Sequence, residues 1–160
     1  MLIANAVCKC LKIFVKSTRI MTREIKFRGK DIETGEWIEG DLVQRMGYMP
    51  SIIFPYESNG KVRYGECAVK RDTVGQFTGL IDKNGKEIYE GDIVKTKHFG
   101  KDLKSGNHFV NVSAEDVFEI KYINAQFVFN NEARWFYLHR NTPCEIIGNI
   151  HDNPELLKGE

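Results

Sequence analysis

The period-two alternation of apolar and polar positions that marks a half-buried strand recurs through this chain. Residues 117–122 (VFEIKY) alternate cleanly, and 126–129 (QFVF) and 134–139 (RWFYLH) follow, the last two separated by Asn130-Asn131-Glu132. The three read as an antiparallel meander. Residues 24–28 (EIKFR) place Ile25 and Phe27 on one face of a strand, and residues 36–39 (EWIE) and 41–44 continue it as a first hairpin. From 46 to 75 the pattern is less regular. Residues 52–54 (IIF) read as a short strand ended by Pro55, Ser58-Asn59-Gly60-Lys61 as a turn, 61–64 as its return strand, and 67–73 (CAVKRDT) as a strand entering the centre of the chain. Residues 144–150 (CEIIGNI) form a final strand kinked at Gly148. Beyond it, Asn153 as N-cap and Pro154 at the first position start a single helical turn, with Leu156 and Leu157 plugging one end of a barrel.

The stretch that organises the whole is 74–94 (VGQFTGLIDKNGKEIYEGDIV). An apolar run, Asp82-Lys83-Asn84-Gly85, a second apolar run at Ile88 and Tyr89, and the break Glu90-Gly91-Asp92 follow one another. Asn-Gly tolerates the positive φ angles of a mirror-image hairpin turn, so the segment is predicted to be a hairpin followed by a sharp corner. Residues 31–43 (DIETGEWIEGDLV) echo 82–94 (DKNGKEIYEGDIV): Asp, the Glu-Gly-Asp triplet and the last Val coincide, while the turn glycine slips by one place. Two readings stand, an internal duplication with two similar corners or two unrelated hairpins sharing turn chemistry; two copies are too few for a solenoid.

These patterns predict a mainly β fold with antiparallel, strongly bent or barrel-like sheets, as one unit or two related small-barrel units, and a short C-terminal helical turn. Residues 22–30 (TREIKFRGK), 73–94 and 145–157 (EIIGNIHDNPELL) resemble the YopX family, small proteins of phages and prophages, over the chain from about Met21 to its end. The resemblance implies a mainly β, soluble protein and brings no catalytic residues with it. Two segments depart from the family pattern: the first 20 residues, and a long loop after Val94.

A length of 160 residues with 42% apolar content suits one domain with a core of its own. The net charge of +1 is unevenly spread: residues 1–20 hold Lys9, Lys12, Lys16 and Arg19 and no acid, so the remainder carries −3. A mildly acidic body is a poor candidate for sequence-independent DNA binding, which needs clustered Lys and Arg against phosphates. In the leader the basic residues recur at helical spacing, with Val7, Leu11, Phe14 and Val15 on another face. It reads either as an amphipathic helix for a membrane surface or as mis-assigned translation upstream of a start at Met21; the family-like pattern beginning at Met21 favours the second. The organisation expected is therefore a leader, 1–20, and a YopX-like β domain, 21–160, with no membrane partner.

Candidate chemistry is sparse. The sequence contains no phosphate-loop glycine pattern, nucleophile elbow or His-Glu-x-x-His. Cys8 and Cys10 are spaced too closely for a zinc knuckle, and Cys67 and Cys144 stand apart, their bridging disfavoured in a reducing cytoplasm. Glu39, Asp41, Glu90 and Asp92 form two matched acidic pairs. If the corners converged they could hold a divalent metal for phosphodiester cleavage, with His98, His108, His139 or His151 as base or ligand. The simpler reading is turn chemistry, each Asp bonding its own backbone amides. The aromatics Phe118, Tyr122, Phe127, Phe129, Trp135, Phe136 and Tyr137 are dense enough to stack bases, but without basic interleaving they read as core, as does Trp37. A local basic face would have to centre on Arg134 and Arg140. Residues 95–115 look like a long polar loop or an extended hairpin.

No residue is therefore assigned as catalytic, cofactor-binding or metal-ligating, and no cofactor is expected. The leading expectation is a non-enzymatic phage or prophage accessory protein in the bacterial cytoplasm. It would bind a host or phage macromolecule, with protein favoured over nucleic acid. The alternatives are a metal-dependent enzyme acting on nucleic acid through the acidic corners, and a homo-oligomer built through exposed strand edges.

Overall fold

A computed structural model describes residues 24–96, 99–100, 110–111, 116–131, 135–138 and 143–158. The leader, His98, His108, His139, Arg134, Arg140, Cys8 and Cys10 lie outside the described residues. The alternating segments become antiparallel strands. Strands β1 (Phe27–Lys30), β2 (Trp37–Val43), β3 (Ser51–Ser58), β4 (Lys61–Ala68), β5 (Gly75–Ile81) and β6 (Glu87–Tyr89) make a six-stranded sheet in the order β4-β3-β2-β1-β5-β6. Strands β7 (Asp92–Thr96), β10 (Asp116–Ile123), β11 (Gln126–Asn130), β12 (Trp135–Tyr137) and β13 (Cys144–Asn149) make a five-stranded sheet in the order β12-β11-β10-β7-β13. Two short strands, β8 (Phe99–Gly100) and β9 (Val110–Asn111), pair with each other antiparallel, and the rest of the expected loop beyond β7 lies outside the described residues.

Neither main sheet closes into a barrel, although the first curls far round. The far end of β4 returns to the end of β1 through an isolated Asp31–Val69 bridge, with the Ile32 amide donating to the Ala68 carbonyl at 3.1 Å. Fully buried Val69 fills the bend, packed where a side chain on Gly29 would otherwise stand. The main core belongs to the second sheet. Phe118 contacts Phe129 and Phe136 edge to face, each at 5.9 Å, and Ile120, Val94 and Cys144 surround them. Ile88 from the β5–β6 hairpin completes the cluster, with Leu80 packed against it, so the first sheet's last hairpin lies on the second sheet. The dense aromatics are thus divided: Phe118, Phe129 and Phe136 are core, whereas Tyr122 and Tyr137 are half-exposed.

Three local expectations are corrected. Strand β3 does not stop at Pro55 but runs on to Ser58, because at that point β3 has already left β2 and a missing donor is tolerated in a strand with a single neighbour. Asn153 makes no capping side-chain bond to the Pro154–Leu157 turn, a 3-10 helix whose leucines are only half-buried and plug no barrel. The third correction concerns the central turn. Asn84 is not among the residues with positive φ, although Gly85 is, at 82°. The Asp82 Oδ1 atom accepts from the amides of Asn84 (2.7 Å) and Lys86 (2.9 Å), and the Gly85 amide donates to the Asp82 carbonyl at 3.1 Å. The aspartate thus selects an ordinary turn closed by one left-handed glycine. Between β3 and β4, where no aspartate intervenes, Asn59 (54°) and Gly60 (68°) do adopt the mirror-image turn.

Candidate functional site

The two Glu-Gly-Asp triplets share letters and do different work. Glu39-Gly40-Asp41 lies inside β2, with both carboxylates exposed. Glu90-Gly91-Asp92 is the corner at which the chain crosses from the first sheet to the second, and Gly91 turns it at φ 82°. The Gly91 amide donates to the Ile120 carbonyl at 2.8 Å, and its carbonyl accepts from the Ile150 amide at 2.9 Å, so the corner is locked against β10 and the end of β13. The echo holds instead at the preceding turns. Asp31 accepts from the Glu33 (2.7 Å) and Thr34 (3.3 Å) amides, as Asp82 does in its own turn. The slipped glycine is a loop longer by one residue: the Gly35 amide reaches back to Asp31, the Gly85 amide to Asp82.

Asp92 is 1% exposed and fully engaged. Its Oδ2 accepts from the Tyr89 amide at 2.8 Å, and its Oδ1 lies 2.6 Å from Arg28 Nη2. Burial pushes its carboxyl up, against the pull of Arg28 and the amide. Among the described residues no three His, Cys, Asp or Glu side chains gather so as to hold a metal ion, and three of the four histidines named with the acidic corners lie outside them. His151 is half-buried, with its ring 5.9 Å from that of Trp37, and burial lowers its pKa. Cys67 and Cys144 are both free thiols, and burial in the core pushes Cys144 up to about 11.

Arg28 is the residue that the pattern of EIKFR did not single out. Its guanidinium lies 4.6 Å from the Trp37 ring centre and 4.9 Å from that of Tyr89. Beside it, Asp152 receives Lys30, the Trp37 indole N–H at 3.0 Å and the Asn149 amide group at 2.9 Å. Lys30 draws the Asp152 carboxyl well below the usual carboxylate range, helped by Asn149 and Trp37. Trp37 is therefore not a buried core ring; it is a half-buried plate between two cations from β1 and the segment after β13. The signal was present in the alternation, which sets Arg28 and Lys30 on one face of β1, facing Glu39 and Trp37 across the ladder. This polar cluster fastens the two sheets, and of its buried side-chain polar atoms Arg28 Nε is left without a hydrogen-bond partner.

The open features lie at the other end of the first sheet. Strand β2 pairs with β1 from Trp37 to Gly40 but with β3 only from Asp41 to Val43. The two strands diverge from there and leave an open wedge of about 600 Å³ lined by Trp37, Glu39, Asp41, Phe54 and Pro55. Beyond Ile53, β3 pairs with β4 alone, so the two form an arm ending at the Asn59-Gly60 turn. Residues 61–64 of β4 are exposed on both faces in succession, with Val62 67% and Tyr64 73% accessible. Met46 and Tyr48, in the loop entering β3, are also exposed. Arg45 from that loop pairs with Glu66 of β4 at 2.6 Å.

A family model described as YopX protein matches residues 26–158. No curated protein matches the chain. Among solved structures, protein EF1440 from Enterococcus faecalis is similar at 24% identity with a TM-score of 0.45, over 84% of this chain and 99% of that one. Among the described residues no helix is long and apolar enough to cross a membrane.

Proposed function

This chain belongs to the YopX family, and from that footing we propose that it is a non-enzymatic accessory protein of a phage or prophage. It works in the bacterial cytoplasm by binding a host or phage macromolecule, a protein rather than a nucleic acid. The observation that carries this reading is the β3–β4 arm, which leaves its sheet after Ile53 and holds Val62 and Tyr64 in solvent. A two-stranded ribbon is marginal on its own in water, and its exposed apolar side chains gain from a covering surface. The acidic balance of the body and the burial of Phe118, Phe129 and Phe136 weigh against a nucleic-acid groove.

The test is capture from bacterial lysate on the immobilised full chain, with and without nuclease, beside a V62D/Y64E variant. Proteins retained after nuclease treatment and lost with the variant support the reading. Recovery that disappears with nuclease, or that ignores the variant, overturns it.

A further inference from the structure

Strand β4 is the edge of the six-stranded sheet, with β3 on one side. On its other side, among the described residues, the backbone joins the end of β1 at Ala68 and Val69 and the Cys67 thiol bonds the Asp31 carboxylate, while no described strand pairs with the edge from Lys61 to Cys67. Open edges present alternate N–H and C=O groups and are templates for a further strand. The side chains along this edge alternate by chemistry as well as by face. Lys61 and Arg63 point to one side of the ribbon, Val62 and Tyr64 to the other. Neither Lys61 nor Arg63 has an ion-pair partner among the described residues, whereas Glu66 is neutralised by Arg45 and accepts from Ser51 Oγ at 2.6 Å.

Charge decides between occupants. In any antiparallel two-fold pairing of β4 with a second copy centred between Lys61 and Tyr64, the cations of the two strands meet directly or diagonally on one face, which is unfavourable. An acidic strand has the opposite consequence. Resting on the reading of the arm as the binding surface, we infer that β4 accepts an extended segment of a partner protein in which acidic and apolar residues alternate. The segment adds as a further strand along Lys61–Cys67. Its carboxylates meet Lys61 and Arg63 on one face, and its apolar side chains cover Val62 and Tyr64 on the other.

The probe is a fluorescein-labelled octapeptide of alternating glutamate and valine, with a lysine–valine peptide as control, read by anisotropy on the full chain. The inference expects saturable, salt-sensitive binding of the acidic peptide and none of the basic one. Arg63→Glu, at an exposed position, weakens the acidic peptide by about tenfold or more and admits the basic one. Amide exchange should slow along Lys61–Cys67 when the acidic peptide is bound. Equal binding of both peptides, or binding without protection of β4, overturns the inference. A dimer that forms in sedimentation and dissolves with Y64E also overturns it, in favour of a second copy. If lysate proteins depend on V62D/Y64E while the acidic peptide does not bind, strand addition fails and the arm remains the binding surface.

Discussion

Arg28 Nη2 and Asp92 Oδ1 lie 2.6 Å apart, and this contact joins β1 of one sheet to the first residue of β7 in the other. Both side chains are largely out of water, at 12% and 2% exposure. Removing one partner of such a pair strands the other charge, at a cost of about 3–5 kcal/mol. Arg28→Ala is therefore expected to lower the urea unfolding free energy by that amount. Arg28→Ala combined with Asp92→Asn should recover part of the loss, since the stranded carboxylate is gone. Losses that simply add would show that the two residues act independently.

The two Asn-Gly turns should respond differently to the same change. Asn59 sits at positive φ, so Asn59→Ala is expected to cost about 1 kcal/mol in backbone strain. Asn84 does not, and Asn84→Ala should stay within about 0.5 kcal/mol. Asp82→Ala should be the most damaging of the three. It removes the acceptor for the Asn84, Lys86 and Ile146 amides, and each donor left buried costs about 1–3 kcal/mol. Thermal denaturation of the three variants checks the order.

Gly40 stands where a methyl group would lie 2.1 Å from the Ile53 carbonyl oxygen. Gly40→Ala must push β3 away from β2 at the root of the arm. The expected outcome is a loss of several kcal/mol, on the order of an overpacked core, seen in chemical denaturation. Gly35→Ala is the control: its surroundings are empty, and only the cost of a positive φ, about 1–2 kcal/mol, applies.

Asp152 supplies a pH dependence of definite sign. Its folded-state carboxyl is held below the ordinary value by Lys30 first, then by Asn149 and Trp37. A depressed acid contributes stability above its unfolded pKa, near 4, and loses it as pH falls through the lower folded value. With 37% of the side chain exposed, that contribution is at most about 1 kcal/mol. Because the Trp37 indole donates to this carboxylate, Trp37 fluorescence in a Trp135→Phe background should stay level through pH 4 and change only in stronger acid. A transition centred at pH 4, or one that persists in Asp152→Asn, would contradict the assignment.

Alternation and turn residues along the chain were enough to place the mainly β fold, most strands, the turns at Asn59-Gly60 and Asp82–Gly85, and the corner at Gly91. These follow from alternation and turn chemistry, which act between near neighbours in the chain. The one-place slip of glycine was visible too, but its meaning, a turn longer by one residue at Asp31 than at Asp82, came from the backbone bonds. That one Glu-Gly-Asp is a crossover and the other a stretch of strand was not legible in the sequence, because it depends on what approaches each glycine from elsewhere: Ile120 and Ile150 at Gly91, Ile53 at Gly40. The pairing of Arg28 with Asp92 and the departure of β3 from β2 after Ile53 belong to the same class. Each arises where segments distant in sequence meet, and local periodicity specifies which face a residue takes but not what comes to lie against it.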